Sequence, residues 1–226
     1  MGIDSRQAAT YRVVTIDGPA GAGKSTVARL LAERLGWRFL DTGAMYRVVT
    51  LAALRARVDL ADGESLDRLT ADLRVSLPPG QVLLHDEDVS RAIRDAAVTE
   101  ASRFAADCAA VRARLVAWQR AFAEAADTVT EGRDQGTIVF PDAFRKFFVT
   151  ATEEERSRRR HAELRARGAA VELETVLADQ RQRDARDVAR AIAPLKPADD
   201  AELVDTTGLN IEQVVDLLFH KVGARP

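Results

Sequence analysis

The sequence predicts an α/β fold organised on a parallel sheet. Three observations carry that reading. First, a β-branched run, Val13-Val14-Thr15-Ile16-Asp17, leads into a glycine-rich loop and then into a helical pattern. Second, further short apolar runs recur at 37–40, 128–131, 145–150 and 202–205, separated by helical stretches. Strands that alternate with helices pair in parallel, which makes five core strands. Third, 226 residues at 46% apolar and 30% charged bury a sizeable core, as one domain or one domain with insertions.

The loop after the first strand is Gly18-Pro19-Ala20-Gly21-Ala22-Gly23-Lys24-Ser25, a full match to G-x-x-x-x-G-K-[ST]. The helix that follows carries Val27, Leu30, Leu31 and Leu35 on one face. Strand, loop and helix together predict a P-loop NTPase fold. Glycines let successive N–H groups point inward at phosphate oxygens. The helix start, through Thr26, adds unpaired donors and a partial positive charge. Lys24 reaches the β- and γ-phosphates, and the Ser25 hydroxyl is placed for Mg²⁺. The bland alternative, an ordinary glycine turn, does not require that context. Gly18 through Thr26 are therefore the candidate ATP-binding residues.

A net charge of −2 gives no sign of a general nucleic-acid binder. With one cysteine, Cys108, neither an intrachain disulfide nor a multi-cysteine zinc site is expected. His85, His161 and His220 show no ligand spacing. The N-terminal segment lacks the apolar core of a signal peptide, and no run approaches the ~20 residues of a membrane span. The expectation is a cytoplasmic protein that binds no membrane. Residues 1–11 read as a mobile tail, and residues 12–226 as a single domain.

In chain order, the first helix stops at Gly36, a C′ glycine. Asp41 or Thr42 caps a helix bearing Met45, Val48, Val49 and Ala52. Thr42 and Arg47 sit at its start, either to hold a second anion or as a cap and a solvated arginine. Residues 58–110 read as an inserted subdomain. Residues 73–77 and 81–84 form a hairpin around Pro78-Pro79-Gly80, and Asp88 caps a short helix with Val89 and Ile93. Residues 99–126 are helical with a break near Asp107, and Val111, Leu115, Trp118 and Phe122 form a core stripe. On spacing alone, Arg112 at its edge reads as a surface residue.

The third core strand ends in Glu131-Gly132-Arg133-Asp134-Gln135-Gly136-Thr137. Ligands in open α/β sheets bind at the strands' carboxyl ends, so Arg133 and Asp134 face a ligand unless they form a loop salt bridge. After the fourth strand, Thr152 and Glu155 make a capping box. The helix they open holds Arg156, Arg158, Arg159 and Arg160 and ends near Gly168. A second helix, about 173–189, carries Arg183, Arg186 and Asp187, with Arg190 just beyond it, on or near one face. The arginine-rich stretch 152–190 reads as a lid over a polyphosphate or as a solvated face. The last helix has Val214, Val215, Leu218 and Phe219 inward.

Taken together, five segments resemble the bacterial cytidylate kinases: residues 16–25, Leu40-Asp41-Thr42-Gly43-Ala44-Met45-Tyr46-Arg47, residues 131–137, Arg183-Asp184-Ala185-Arg186-Asp187 and Ala191-Ile192-Ala193-Pro194-Leu195. Their order and spacing extend from about Val13 to Val222. The resemblance implies a nucleoside monophosphate kinase. It has a five-stranded parallel sheet flanked by helices, an inserted acceptor-nucleotide subdomain with a small β-sheet, and a helical lid. The implied reaction transfers a phosphoryl group from ATP to CMP or dCMP with Mg²⁺.

Carried over by position, Thr42, Arg47 and Arg133 match the acceptor-phosphate contacts. Ser102, Arg112 and Asp134 match the cytosine readers, Arg183 and Asp187 the ribose contacts, and Arg190 a further phosphate contact. Lys24, Arg133 and Arg190 are the implied catalytic set. Ser25 binds the metal directly, and Asp17 or Glu131 holds metal-bound water. Two departures are visible: the family often has Ser where Thr42 stands and Asp where Glu131 stands. With no unpartnered apolar helix evident, a monomer acting on small nucleotides is expected.

Overall fold

The computed structural model describes residues 11–166 and 168–223. The tail expected over 1–11 lies outside the described residues except for Tyr11.

Strand β1 (Val13–Asp17) is buried nearly throughout, as its β-branched composition demands. Helix α1 (Lys24–Leu35) ends at Gly36, whose φ of 68° lets its N–H close onto the last carbonyls. Strand β2 (Arg38–Asp41) starts one residue later than expected. Helix α2 (Thr42–Ala56) is capped by Asp41, which accepts from the Ala44 amide at 2.8 Å. Helix α3 (Gly63–Ala71) is capped by Asp62.

The inserted hairpin proves to be a three-stranded antiparallel sheet of β3 (Val75–Ser76), β4 (Leu83–Leu84) and β5 (Glu87–Asp88). Asp88 belongs to the third strand and does not cap a helix; its carboxylate accepts from the Ser90 amide and hydroxyl. The short helix is a single 3₁₀ turn, Ala92–Arg94. The extra strand follows from the two-residue reversal at His85 and Asp86, both with positive φ. That is the geometry of a tight type I′ hairpin turn.

Helices α4 (Ala96–Asp107) and α5 (Ala109–Ala123) are split at Cys108, close to the expected break. Strand β6 (Thr128–Gly132) runs into a π-helical turn, Gln135–Val139, and then comes β7 (Arg145–Thr150). Helices α6 (Glu153–Ala166) and α7 (Leu173–Ala189) fill the region read as a lid. Only half of the expected capping box forms: the Glu155 amide donates to Thr152 Oγ1 at 3.3 Å, while the Glu155 carboxylate turns to Arg158 and Arg159. Strand β8 (Glu202–Asp205) and helix α8 (Ile211–Gly223) complete the described chain.

The main sheet is parallel, in the order β2-β6-β1-β7-β8. One core lies between this sheet, α1 and α8, and includes Ile16, Leu31, Phe147 and Leu218. A second joins α2, α3, α4 and α5 to the small sheet through Val48, Leu66, Leu84, Val98 and Leu115. The inserted segment therefore shares its core with α2 and α5. Each such fully buried side chain contributes about 1.5–3 kcal/mol relative to exposure.

The chain leaves β1 in one direction along the sheet and β6 in the other, so a switch point lies between these neighbours. Register places Asp17 opposite Gly132, and Asp41 opposite Glu131. The ends of three strands are thereby brought side by side.

The loop leaving β1 depends on a glycine at its first position. Gly18 has φ 144°, and a Cβ there would lie 2.0 Å from the Val149 carbonyl oxygen in β7. Backbone of a central strand cannot yield as a side chain would. Gly18→Ala is expected to lower unfolding free energy by at least about 2 kcal/mol, read by denaturant melting. An unchanged midpoint would contradict the close packing of loop on sheet.

Candidate active site

The glycine loop forms a concave turn of backbone. Gly18, Gly21 and Gly23 all take positive φ, a sequence of torsions that turns amides inward. Helix α1 has neither a side-chain cap nor an acidic residue in its first turn. Its N-terminal donors are thus left for an anion. Gly21 is confined as well: a Cβ would come 2.2 Å from Gln180 Nε2 and 3.0 Å from the Arg156 carbonyl oxygen.

Lys24 is buried and folds back on the loop, donating to the Pro19 carbonyl at 2.6 Å. Loss of water, then the positive charge of Arg133, push its pKa down to about 7; Glu131 and Asp17 oppose this, and Arg183 adds to it. The lysine of the donor loop thus sits in the field of arginines expected at the acceptor.

Ser25 Oγ donates to Glu131 Oε1 at 2.9 Å. A hydroxyl and a carboxylate meeting beside the loop are oxygen donors of the kind that would hold Mg²⁺. Among the described residues, no group of three His, Cys, Asp or Glu gathers to hold a metal alone. Asp17 is differently employed. Its two oxygens accept from the amides of Gln135 at 2.9 Å and Gly136 at 2.7 Å. Burial raises its pKa to about 6 against those two bonds. Of the two carboxylates expected near the metal, Glu131 is the one at Ser25.

The residues expected around a second phosphate are Thr42, Arg47, Arg133 and Arg190, with Arg183 and Asp187, the expected ribose contacts, beside them. Thr42 lies at the start of α2 and donates to the Glu131 carbonyl at 2.7 Å. Arg47 reaches Asp41 at only 3.5 Å, and its buried Nε has no hydrogen-bond partner. Arg133 Nε donates to Asp187 at 2.9 Å, and Arg190 pairs with the other oxygen of Asp187 at 2.8 Å. Burial works against the charge on Asp187, but Arg133 and Arg190 overcome it and hold the carboxyl below its usual range.

Among the described residues, Arg183 makes no hydrogen bond or ion pair within reach. Its side chain meets solvent, yet the protein around the guanidinium, and then Arg133, push it down to about 10 against the pull of Asp187. Asp41, Asp107 and Asp187 stand among Arg47, Arg94, Arg133, Arg183 and Arg190, so guanidiniums outnumber carboxylates in this corner.

The expected cytosine readers are only partly assembled. Arg112 and Asp134 form a buried ion pair, so Arg112 is not the surface residue its spacing suggested. The Tyr46 ring lies beside Arg112, 5.8 Å from the guanidinium carbon. Ser102, on α4, spends its hydroxyl on the Thr99 carbonyl 2.8 Å away, a bond within its own helix. The structure does not join it to the Arg112–Asp134 pair through a bond.

Arg156, Arg158, Arg159 and Arg160 of α6 are committed to the protein. Arg158 and Arg159 pair with Glu155, and Arg159 also donates to Thr206 and Leu209. Arg160 pairs with Glu163. Arg156 is buried, and donates to the Ala151 and Ala20 carbonyls and to Asp184. The sequence reading gave Asp184 and Asp107 no role. Asp184 accepts from the Ala20 amide, and Asp107 meets Arg190 at 3.2 Å. Asp184 lay inside a motif already singled out; Asp107 carried no signal beyond ending a helix.

The lowered pKa of Lys24 gives a pH test. Near pH 8 the empty protein holds this lysine largely neutral, and an entering polyphosphate restores its charge. ATP binding at pH 8 is expected to take up close to one proton, and at pH 6 almost none from this group. Calorimetry in buffers of different ionisation enthalpy measures the difference. Equal uptake at both values would contradict the assignment.

Residues 14–224 match the family model described as cytidylate kinase. A cytidylate kinase of Pseudomonas paraeruginosa is 48% identical over 218 residues, which cover 94% of this chain and 95% of that protein. One from Pelotomaculum thermopropionicum is 49% identical over 93% of this chain and 96% of its own length. A solved structure of an uncharacterised Eubacterium ventriosum protein shares the fold, with a TM-score of 0.53 at 13% identity over 95% of this chain and 99% of that one. The loop, the arginine cluster and these matches agree: the chain belongs to the cytidylate kinase family.

Proposed function

We propose that this chain transfers the γ-phosphoryl group of ATP to CMP and dCMP, releasing ADP and CDP or dCDP. One observation carries the reading. Glu131 stands between the loop and the acceptor residues: its carboxylate accepts from Ser25 at 2.9 Å and its carbonyl from Thr42 at 2.7 Å, so the two sites meet at one residue. A kinase for a phosphorylated acceptor needs that arrangement, because two phosphates must meet in line.

The loop amides and Lys24 hold the donor triphosphate. Ser25 and Glu131 would hold Mg²⁺, which offsets charge on the donor phosphates. Thr42, Arg47, Arg133 and Arg190 hold the acceptor phosphate, and Arg183 and Asp187 its ribose. An acceptor oxygen forms the new P–O bond as the bond to ADP breaks. The CMP phosphate is already ionised at pH 7, so no side chain has to remove a proton. Arg133, between both sites, is placed to follow the charge as it moves. Closure of α6 and α7 over the cleft would keep water from competing as acceptor.

Cytosine selection follows from donor and acceptor capacity. Arg112 only donates and so suits O2 and N3 of cytosine; Asp134 accepts from the exocyclic amine, with Ser102 as a second acceptor if its rotor turns. Uracil presents N3–H and O4 at those edges and leaves groups unpaired. Among the described residues, no helix is long and apolar enough to cross a membrane. Independently of that, the chain is read as a cytoplasmic monomer that acts on free nucleotides and not on nucleic acid.

A coupled ADP assay with CMP, dCMP, UMP, AMP and shikimate separates this reading from its rivals. CMP and dCMP are expected to drive turnover. ADP release indifferent to every monophosphate would point to a regulatory NTPase, and a preference for UMP, AMP or shikimate to another acceptor. Lys24→Met is expected to cost at least about 100-fold in kcat. Arg112→Met is expected to raise the CMP KM about 10- to 100-fold with the ATP KM nearly unchanged. Equal losses for both substrates would remove Arg112 from base selection.

A further inference from the structure

Helix α7 serves two places at once. Gln180 and Asp184, four residues apart, face the glycine loop. Arg183 and Asp187 lie toward the acceptor site on a neighbouring strip of the same helix, and Arg190 follows at its C-cap.

The contact with the loop is closely made. Ala20 is held through both of its backbone groups: its N–H donates to Asp184 Oδ1 at 3.2 Å, and its carbonyl accepts from Arg156 Nη1 at 2.9 Å. Arg156 and Asp184 are themselves paired at 2.5 Å, which closes the ring. Arg156 is also tied to the end of β7 through the Ala151 carbonyl at 3.1 Å. One turn earlier on α7, Gln180 accepts from Ser157 Oγ at 2.7 Å. Its buried Nε2 lies against Gly21 with no partner of its own. Two turns of α7 therefore rest on two consecutive residues of the donor loop.

We propose that Asp184 is a positioning residue that couples the two nucleotides: ATP in the loop sets the acceptor arginines through Asp184, so ATP and CMP tighten each other's binding. This rests on reading the cleft as an ATP–CMP clamp. A triphosphate that orders the loop orders the Ala20 backbone. That backbone fixes Asp184, and Asp184 fixes the roll of α7 on which Arg183, Asp187 and Arg190 are mounted. The second nucleotide then binds to a helix already held, and loses less freedom in doing so. Linkage makes the effect reciprocal. Asp184 touches neither nucleotide in this scheme.

The opposite role is also chemically sensible and is separable. The Asp184 carboxylate could act as a plug that occupies a loop amide and competes with phosphate. A plug predicts tighter ATP binding when its charge is removed.

The test is a binding cycle on the full chain. The CMP Kd is measured by calorimetry with and without saturating Mg²⁺ and a non-hydrolysable ATP analogue. In the native protein the analogue is expected to tighten CMP at least about five-fold. In Asp184→Asn this gain is expected to fall below about two-fold, while CMP binding without the analogue stays within about two-fold of native. Because the single change leaves Arg156 buried without a carboxylate, Asp184→Asn with Arg156→Gln is run beside it, with melting of both. The double variant is expected to lose the gain too.

A native-size gain in either folded variant would overturn the proposal, as would a native protein that phosphorylates CMP yet shows no gain. Tighter binding of the analogue to Asp184→Asn would establish the plug instead. A native protein that binds the analogue but not CMP would refute the clamp itself, and the coupling with it.

Discussion

Asp17 ends β1, and its carboxylate accepts the amides of Gln135 and Gly136. That pair of bonds sets where Arg133 and Asp134 stand, because both lie between β6 and the amides so held. The residue that opens the donor loop thus also fixes the acceptor loop. The arrangement carries a cost. Burial raises Asp17 to about 6, so keeping it ionised lowers stability as pH rises from about 4 to about 6. The two amides limit that penalty, and Lys24 helps. A neutral residue could not accept both amides on two equivalent oxygens, and the loop would lose one of its fixed points.

Around this strut the cleft carries more positive charge than its own carboxylates can balance. Asp187 serves Arg133 and Arg190, and Asp41 stands 3.5 Å from both Arg47 and Arg94. Arg183 is left to its neighbours' repulsion, and Lys24 to a backbone carbonyl. A net charge of −2 over the whole chain conceals this. Overall charge governs solubility, whereas a walled cleft of one sign concentrates the opposite sign locally. Anionic ligands would relieve that crowding of like charges.

What the sequence revealed was what is local. The strand, glycine loop and helix are contiguous, and five core strands stood out because each is a short apolar run between helices. The third strand of the small sheet was missed because its turn is His85-Asp86, without the Asn or Gly that usually marks a type I′ reversal. The π-helical turn after Asp134 has no sequence signature of comparable strength. The fate of the α6 arginines was undecidable from spacing. Arg156 meets Ala20 across 136 residues and Asp184 across 28, and only the folded chain shows that these three close a ring. Arg112 read as a surface residue for the same reason: its partner Asp134 lies 22 positions away.

Arginine is used at the acceptor corner where lysine is used in the loop, and the difference is physical. The loop needs one point charge that can fold away when no phosphate is present, and Lys24 does so onto Pro19. The acceptor corner needs donors in fixed planes that bridge a carboxylate and a phosphate together, and a guanidinium offers five. Arg133 and Arg190 already spend donors on Asp187 and keep others free. Arginine also stays charged amid like charges: Arg183 is pushed only to about 10, whereas Lys24 falls to about 7. A lysine at 183 would start from a lower ordinary value and hold its charge less firmly. The corner proposed to neutralise a phosphate in transit is therefore built from the side chain least able to give up its proton.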